Sequence, residues 1–342
     1  YGLLGQIAPI VESEFFHSLY LSRPLLLSDD SFAEYPYDLH SHLRGASNQM
    51  ISEIGTRNLT KIYRESPPCL EIPEEDQSKG WNYLSEFSIH QSDKLAVLHV
   101  RDSAYLAGVA PHHDWSYHDF RDVDIETYRP CIEDLITKGY KVVRIGAATN
   151  QTLQLKSASF IDLCRDRCPD LGDFIDVFLL SVCDFFICTS SGPFGIGALF
   201  DTPMIAVNAA PLAQPYPKHC HVIPKLLYHG DEVVSLIDIG NGMRLGDQES
   251  TPISSCYSGK ELADHGYHYE DNSEVDIQKG VAEFERRLVG GSFIGDLTRM
   301  QCSFKNAVSA EFWGDENNNA ICTSFINDHP DAFTGLRADA DK

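Results

Sequence analysis

Residues 176–208 read DVFLLSVCDFFICTSSGPFGIGALFDTPMIAVN and set the fold class. An apolar, helix-like segment ends at Asp184, and the β-rich run FFIC follows at 185–188. A polar turn then leads into a second helix-like segment, which ends at Phe200 before the apolar run MIAV at 204–207. This order of helix, strand, turn, helix and strand predicts an α/β fold with a parallel sheet and crossover helices.

The polar turn between strand and helix contains Thr189, Ser190, Ser191 and Gly192. In parallel sheets, ligands bind outside the carboxyl ends of the strands. A helix N-terminus there offers backbone N–H groups and a positive dipole end to an anion. The same residue types also cap helices that bind nothing, so the turn alone leaves an anion site and a plain helix cap as alternatives.

Two earlier strands are predicted to end at the same edge of the sheet. The run KLAVLHV at 94–100 reads as a buried parallel strand. A helix predicted over 124–138 connects it to the next strand, KVVRIG at 141–146, in a right-handed βαβ unit. The residues delivered to the edge are His99, Arg101 and Asp102 from the first strand and Arg144 and Gly146 from the second.

Arg101 and Arg144, together with the polar turn, have the chemistry that a diphosphate needs. Arginine donates paired, charge-assisted hydrogen bonds to phosphate oxygens, and the helix start adds N–H groups. Either arginine alone would more often form a structural salt bridge. Their joint appearance at strand ends beside the turn favours an anion site.

The overall composition fits a globular protein that does not bind nucleic acid. The chain has 342 residues, 43% of them hydrophobic and 23% charged, and a formal net charge of −23. Binding to nucleic acid or to anionic lipid needs clustered basic residues, so both partners are disfavoured. A few arginines focused into one cleft remain compatible with an anionic ligand.

The sequence gives little indication of a membrane-spanning segment, a secretory signal or paired cysteines. No apolar run approaches the roughly 18 residues of a membrane-spanning helix, and no secretory signal is visible. The ten cysteines show no paired CxxC spacing, which favours free thiols in a reducing compartment. We therefore expect a cytoplasmic protein that reaches a membrane only through partners.

The motif HVRD at 99–102 resembles the His-x-Arg-(Arg)-x-Asp motif of the GT-B fucosyltransferase superfamily, which includes O-fucosyltransferases and alpha-1,6-fucosyltransferase-like enzymes. Residues 176–208 are similar to the second donor motif of that superfamily. Residues 95–288 together resemble a group of bacterial glycosyltransferases of surface polysaccharide loci. One departure is that Asp102 stands where the superfamily has a second arginine, which leaves the donor open.

The resemblance implies a GT-B-like architecture of two Rossmann-like, parallel-sheet domains that face a cleft. Residues 1–92 would form an N-terminal acceptor-side domain, and residues 93–272 the domain that binds the nucleotide sugar. Residues 273–342 would form C-terminal helices and a tail that pack back across the cleft. Within these ranges we also expect residues 160–167 to be helical and residues 274–288 to form an amphipathic helix.

The resemblance also implies glycosyl transfer from a nucleotide sugar, with a GDP-sugar such as GDP-fucose favoured, to a hydroxyl of a glycan acceptor. No cofactor is expected, and no metal, because GT-B enzymes commonly stabilise the leaving diphosphate with cationic groups and a helix dipole. Arg101 would bind the diphosphate. The other implied donor-site residues are His99, Arg144, Gly146, Thr189, Ser190, Ser191 and Gly192, with Asp176 and Asp184 flanking them.

The acceptor side and the catalytic base are less constrained. Asp102 is the first candidate for the base because it follows Arg101 at the rim, and Glu126, Asp114 and His113 are rivals. Tyr105 and Trp115 are candidates for stacking on an acceptor sugar, with His113 beside them.

Two other functions stay open on the sequence. The first is a sugar- or nucleotide-binding module that keeps the fold without turnover. The second is a metal-dependent hydrolase that uses the loop at 112–119, which contains His112, His113, Asp114, His118 and Asp119. Its histidines lack the i, i+4 spacing of a helical ligand pair.

Overall fold

The computed structural model describes residues 71–213, 216–217, 219–247, 249–291, 297–309 and 320–336. These residues form a seven-stranded parallel sheet with helices packed on both faces, and a separate three-stranded antiparallel sheet. This confirms the predicted α/β fold with a large parallel sheet. Most of the N-terminal domain predicted for residues 1–92 lies outside the described residues.

The parallel sheet has the strand order β10-β6-β5-β4-β1-β2-β3. Its strands are β1 (Lys94–His99), β2 (Tyr140–Arg144), β3 (Phe160–Asp162), β4 (Phe185–Cys188), β5 (Met204–Ala209), β6 (Cys220–Pro224) and β10 (Ala320–Ile321). The antiparallel sheet has the order β8-β7-β9, formed by β7 (Leu226–His229), β8 (Glu232–Val233) and β9 (Tyr267–Glu270).

The described helices connect or cover these strands. They are α1 (Glu74–Ser85), α2 (Ala104–Val109), α3 (Arg129–Thr137), α4 (Gly172–Val182), α5 (Gly192–Leu199), α6 (Leu236–Gly240), α7 (Gly259–Asp264), α8 (Glu274–Val289), α9 (Arg299–Ala307) and α10 (Thr323–Asp328). Short 3₁₀ helices span Ser116–Arg121, Ile125–Tyr128, Ile253–Ser255 and Pro330–Phe333.

Alternating side chains of β4 pack against helices on opposite faces of the sheet. The ring centroid of Phe185 lies 5.7 Å from that of Phe284 on α8. The next residue, Phe186, points the other way, because a Cβ on Gly197 of α5 would lie 3.3 Å from its ring. Both faces are therefore covered, which explains why β4 is a continuous apolar run.

The register brings three strand ends to one level at the carboxyl edge. Leu98 of β1 pairs with Arg144 of β2, and His99 pairs with Cys188 of β4. The residues that follow β1, β2 and β4 therefore emerge side by side, as the sequence predicted.

Two local predictions need correction. Residues 160–167 do not form a helix, because Phe160–Asp162 pairs with β2 as an edge strand. The segment predicted as one helix over 124–138 begins as the 3₁₀ helix Ile125–Tyr128 and becomes α-helical only at Arg129. Pro130 at the start of α3 has no N–H to continue a helix from the preceding turn.

The C-terminal segment packs on this same parallel-sheet unit. Helix α8 covers β5 and β6, and β10 pairs with β6 as the edge strand of the sheet. Helix α1 also belongs to the unit, since Trp81 packs edge-on against Phe178 of α4 at 5.4 Å. The domain boundaries assigned at residues 92 and 272 remain predictions.

Candidate functional site

Hydrogen bonds join the ends of β1 and β4 at the carboxyl edge. The backbone N–H of Arg101 donates to Thr189 Oγ1 at 3.1 Å. His99 Nδ1 and Ser191 Oγ share a hydrogen bond of 3.0 Å. The HVRD motif and the Thr-Ser-Ser turn therefore form one structural unit.

The N-terminus of α5 is not capped by a side chain. Ser191 occupies the N-cap position in an extended conformation, but its hydroxyl makes no capping hydrogen bond to the helix. That hydroxyl contacts His99 and the carbonyl of Thr189 instead. Gly192 is the first residue of α5 and adds no side chain. This geometry favours the anion site over the plain helix cap.

Arg101 is fixed at three points. Besides its N–H bond to Thr189, its carbonyl accepts from Val123 N at 3.1 Å, and its Nε donates to Asp122 Oδ1 at 2.9 Å. The side chain is only 11% exposed. The Nε contact leaves both Nη groups without a hydrogen bond to any residue that the structure describes, so they are available to a ligand.

Arg121 brings a second guanidinium to the same turn, and the sequence reasoning did not identify it. It lies at the end of the 3₁₀ helix Ser116–Arg121 and donates from Nη2 to the carbonyl of Ser190. The Tyr257 ring covers it at 5.7 Å from Cζ. Burial and then repulsion from Arg101 lower the pKa of Arg121 to about 10. An anion between the two guanidiniums would relieve both effects.

A buried lysine holds the loop that carries Arg121 and Asp122. Lys225 follows β6 and is only 2% exposed. Its Nζ donates to the carbonyl of Phe120 at 2.7 Å, to the carbonyl of Asp122 at 3.2 Å and to Asp271 Oδ1 at 2.5 Å. All three ammonium protons therefore have acceptors, and the lysine acts as a fixed support beneath the site.

His99 is a neutral side chain at this site. Burial, followed by the positive charges of Arg144 and Arg101, lowers its pKa to about 4. Its ring packs against Gly146, where a Cβ would lie 3.6 Å from Cδ2 of His99 and 3.1 Å from Sγ of Cys164. Gly146 has a φ of +144°, which a larger residue rarely adopts. Gly146 therefore contributes close packing around His99.

Arg144 is enclosed by the end of β3 and by the loop that follows β2. It is 1% exposed, and its Nη1 contacts Asp162 Oδ2 at 3.3 Å and the carbonyl of Gln151 at 2.7 Å. Its Nη2 donates to Thr149 Oγ1 at 2.8 Å. These contacts occupy both Nη groups of Arg144, and its role at the donor site remains a prediction.

The carboxylate of Asp102 organises the turns after β1 and β2. Its Oδ1 accepts from Ala104 N at 2.9 Å, and its Oδ2 accepts from Thr149 Oγ1 at 2.6 Å and Asn150 N at 2.8 Å. Asp119 differs, because it is exposed and accepts no side-chain hydrogen bond from any described residue. Burial lowers the pKa of the Arg101 guanidinium, and the negative charges of Asp122, Asp119 and Asp102 offset part of this shift.

The contacts of the other predicted catalytic or acceptor-side residues are with residues close to them in the chain. Glu126 is paired with Arg129 at 2.7 Å. Trp115 donates from Nε1 to the carbonyl of Ala110 at 3.1 Å, and its ring lies 4.2 Å from that of His113. Tyr105 lies on α2, a short helix without a buried residue. Their acceptor roles remain predictions.

Asp176 and Asp184, which flank the second motif, have internal partners. Asp184 accepts from Leu95 N at 2.7 Å and holds the start of β1. Asp176 pairs with Arg167 at 2.8 Å, and burial raises its pKa to about 6. Both positions are consistent with a structural role.

The histidine-rich loop is not arranged as a metal site. The imidazole of His118 packs against the Tyr117 ring in a tilted arrangement, with centroids 3.9 Å apart, and that of His113 packs on Trp115. Within the described ranges, no group of three or more His, Cys, Asp or Glu side chains is placed to hold a metal ion. This geometry gives no support to the hydrolase alternative.

Comparisons with known proteins give structural neighbours only. No protein-family model matches the sequence, and neither does any curated protein. One similar structure is the glycosyl transferase family 9 from Veillonella parvula DSM 2008, with 16% identity and a TM-score of 0.38, over 65% of this chain and 53% of that one. Another is E. coli ADP-heptose LPS heptosyltransferase II, with 21% identity and a TM-score of 0.32, over 46% of this chain and 45% of that one. The matched region spans about half of each neighbour.

No helix among the described residues has the length and apolar character to cross a membrane. The nine cysteines of the same part of the chain are all free thiols.

Proposed function

We propose that this protein is a glycosyltransferase that moves a sugar from a nucleotide-sugar donor to a hydroxyl of a glycan acceptor. One observation carries the proposal: the backbone N–H of Arg101 and the guanidinium of Arg121 both bond to the turn at 189–191, where the N-terminus of α5 has no side-chain cap. Guanidinium groups, and the N–H groups of a helix start without a side-chain cap, can bind a diphosphate at the carboxyl edge of a parallel sheet.

Such a site lowers the barrier to glycosyl transfer by stabilising charge on the leaving group. As the bond between sugar and phosphate breaks, negative charge accumulates on the departing diphosphate while the sugar becomes oxocarbenium-like. Fixed donors around the phosphate stabilise this state without reorganising. Asp122 and Lys225 hold the two arginines in place beforehand, as this mechanism requires.

The finer assignment rests on the motif resemblance. It favours a GDP-sugar such as GDP-fucose as donor, and a glycan of a bacterial surface polysaccharide or glycoconjugate as acceptor. The substitution of Asp102 for a second arginine is compensated by Arg121, which supplies a second guanidinium from a different loop. The number of cations therefore does not argue against a nucleoside diphosphate.

For the acceptor base we propose Asp119 in place of Asp102. A general base needs a carboxylate oxygen that can reach the acceptor hydroxyl. Both oxygens of Asp102 already accept hydrogen bonds from the neighbouring turns. Asp119 is exposed beside the cationic pair, and its carboxylate is not committed to another described residue.

A thermal-shift screen against GDP-, UDP-, CDP- and ADP-sugars tests the proposal. A ligand at 100 times its Kd adds about 2.7 kcal/mol to the free energy of unfolding, which is readily seen as a rise in Tm. We expect one nucleotide class to raise Tm, and turnover of that donor with a glycan acceptor to release the nucleoside diphosphate. Binding without turnover would indicate the non-catalytic module, and no shift with any nucleotide sugar would contradict both.

A further inference from the structure

Tyr257 is an exposed aromatic residue on a firmly packed segment beside the anion site. It is 37% exposed, one of five large hydrophobic residues with substantial exposure among those described. Its neighbours are tightly placed, because a Cβ on Gly259 would lie 3.2 Å from Cδ1 of Phe120 and 3.3 Å from the carbonyl of Tyr117. The Ser258 hydroxyl caps α7 through Glu261 N at 3.1 Å. The ring is therefore held against the loop that carries Arg121.

The ring of Tyr257 contacts a guanidinium. Arg121 lies over the ring, with Cζ 5.7 Å from the centroid. Burial raises the pKa of the Tyr257 hydroxyl. No other aromatic ring of the described residues stacks on Tyr257. The Tyr257 ring and the Arg121 guanidinium are two planar groups in contact, and a third planar group, such as a nucleobase, could stack on the other side of the ring.

The position of Tyr257 relative to the two arginines indicates which part of a nucleotide would stack on its ring. Of the two arginines, it is Arg121 whose Cζ lies over the Tyr257 ring, 5.7 Å from its centroid. The aromatic face therefore lies at the Arg121 end of the cationic pair. A diphosphate spanning the pair would have its nucleoside at one end and its sugar at the other.

We propose that Tyr257 forms the nucleobase subsite, with the base stacked on its ring, the phosphates between Arg121 and Arg101, and the transferred sugar at the Arg101 end. This inference rests on the proposed function and extends it by assigning the direction in which the donor lies. It also puts the sugar on the same side as Asp119 and Asp102, which surround Arg101.

Calorimetric titration of the full chain with GDP, UDP and inorganic pyrophosphate tests this subsite. Base stacking on an aromatic side chain contributes about 1–3 kcal/mol, which corresponds to roughly 5- to 150-fold in Kd. We expect Tyr257→Leu to lose that much affinity for the preferred nucleoside diphosphate and less than about threefold for pyrophosphate. Tyr257→Phe, which keeps the ring, should bind both ligands like the wild type.

Three other outcomes are informative. If Tyr257→Leu loses equal affinity for pyrophosphate and for the nucleoside diphosphate, Tyr257 only positions Arg121. If both ligands bind Tyr257→Leu as they bind the wild type, Tyr257 is not part of the site. Either result overturns the nucleobase subsite alone. Failure of the wild type to bind any of the three ligands would overturn the proposed function as well. The Tm of each variant without ligand, expected to stay near that of the wild type, excludes misfolding as the cause.

Discussion

Arg101 and Arg144 leave neighbouring strands, yet their guanidiniums lie in different surroundings. Arg144 is enclosed by Asp162, Thr149 and a backbone carbonyl, and is 1% exposed. Arg101 has a single carboxylate partner, at its Nε, and its two Nη groups bond to no described residue. At the scale of residues, the position of the nearest carboxylate therefore separates an enclosed arginine from the one that we propose binds a ligand.

The two aspartates beside Arg101 should respond differently to removal of their charge. Asp119→Asn should lower kcat by about 10²- to 10⁴-fold if it removes the acceptor base, with little change in the Kd of the nucleoside diphosphate. Asp102→Asn should instead lower Tm, because it weakens the bonds to Thr149 and Asn150. Steady-state kinetics with the donor found by screening, together with thermal unfolding, compares the two. A wild-type kcat for Asp119→Asn would disprove its assignment as base.

The sequence identified Arg101 and the turn at 189–191 because both follow buried strands directly. This reasoning did not identify Arg121, because Arg121 lies in a loop whose path depends on Lys225 and Tyr257. Both of these residues are more than 100 positions later in the sequence. The burial of Arg144 was not foreseen for a related reason. Its partner Asp162 belongs to β3, a three-residue strand too short to show a periodic pattern.

At the scale of elements, the 3₁₀ helix Ser116–Arg121 is the one that completes the site. It has no buried residue of its own. Its position depends on Lys225 beneath it and on α7 beside it. Strands β1, β2, β4 and β5 and helix α8 could be predicted from apolar pattern alone, whereas this element could not, because its conformation comes from tertiary hydrogen bonds.

Lys225→Met should loosen this element. The change removes three hydrogen bonds from a buried ammonium and leaves two backbone carbonyls unpaired, which costs about 1–3 kcal/mol in the free energy of unfolding. Pyrophosphate affinity should fall as well, since Arg121 and Asp122 lose their support. Chemical denaturation and calorimetry measure the two effects.

The matched control is Lys279→Met, which removes an exposed ion pair with Asp328. Exposed pairs contribute about 0–1 kcal/mol, and α8 lies away from the phosphate site. Equal losses of stability and affinity in the two variants would show that Lys225 has no special role.

At the scale of the whole molecule, buried titratable groups predict acid sensitivity. Burial is the first cause that lowers the pKa of His99, His118 and His221 to about 4. Below the unfolded pKa of about 6.5, the unfolded chain binds protons that the folded chain excludes, so stability falls as the pH drops toward 4. Asp176 acts in the opposite direction, because its raised pKa of about 6 favours the folded state on acidification.

The three histidines outnumber the one aspartate, so Tm should fall steadily between pH 6.5 and pH 4.5. His99→Gln keeps a side chain that can bond to Ser191 and should make this decline shallower. His268→Gln, at an exposed position on β9, should leave it unchanged. Thermal unfolding at a series of pH values measures the slopes, and a Tm independent of pH in this range would contradict the assignment of buried neutral histidines.

The central claim is that a diphosphate binds between Arg101 and Arg121, and calorimetric titration with inorganic pyrophosphate tests it most directly. Losing a charged hydrogen-bond donor costs about 1.5–3 kcal/mol, so Arg101→Ala and Arg121→Ala should each raise Kd by roughly 10- to 150-fold. Arg165→Ala, which removes a half-exposed arginine paired with Asp166, should bind like the wild type. Wild-type affinity in both of the first two variants would contradict the claim.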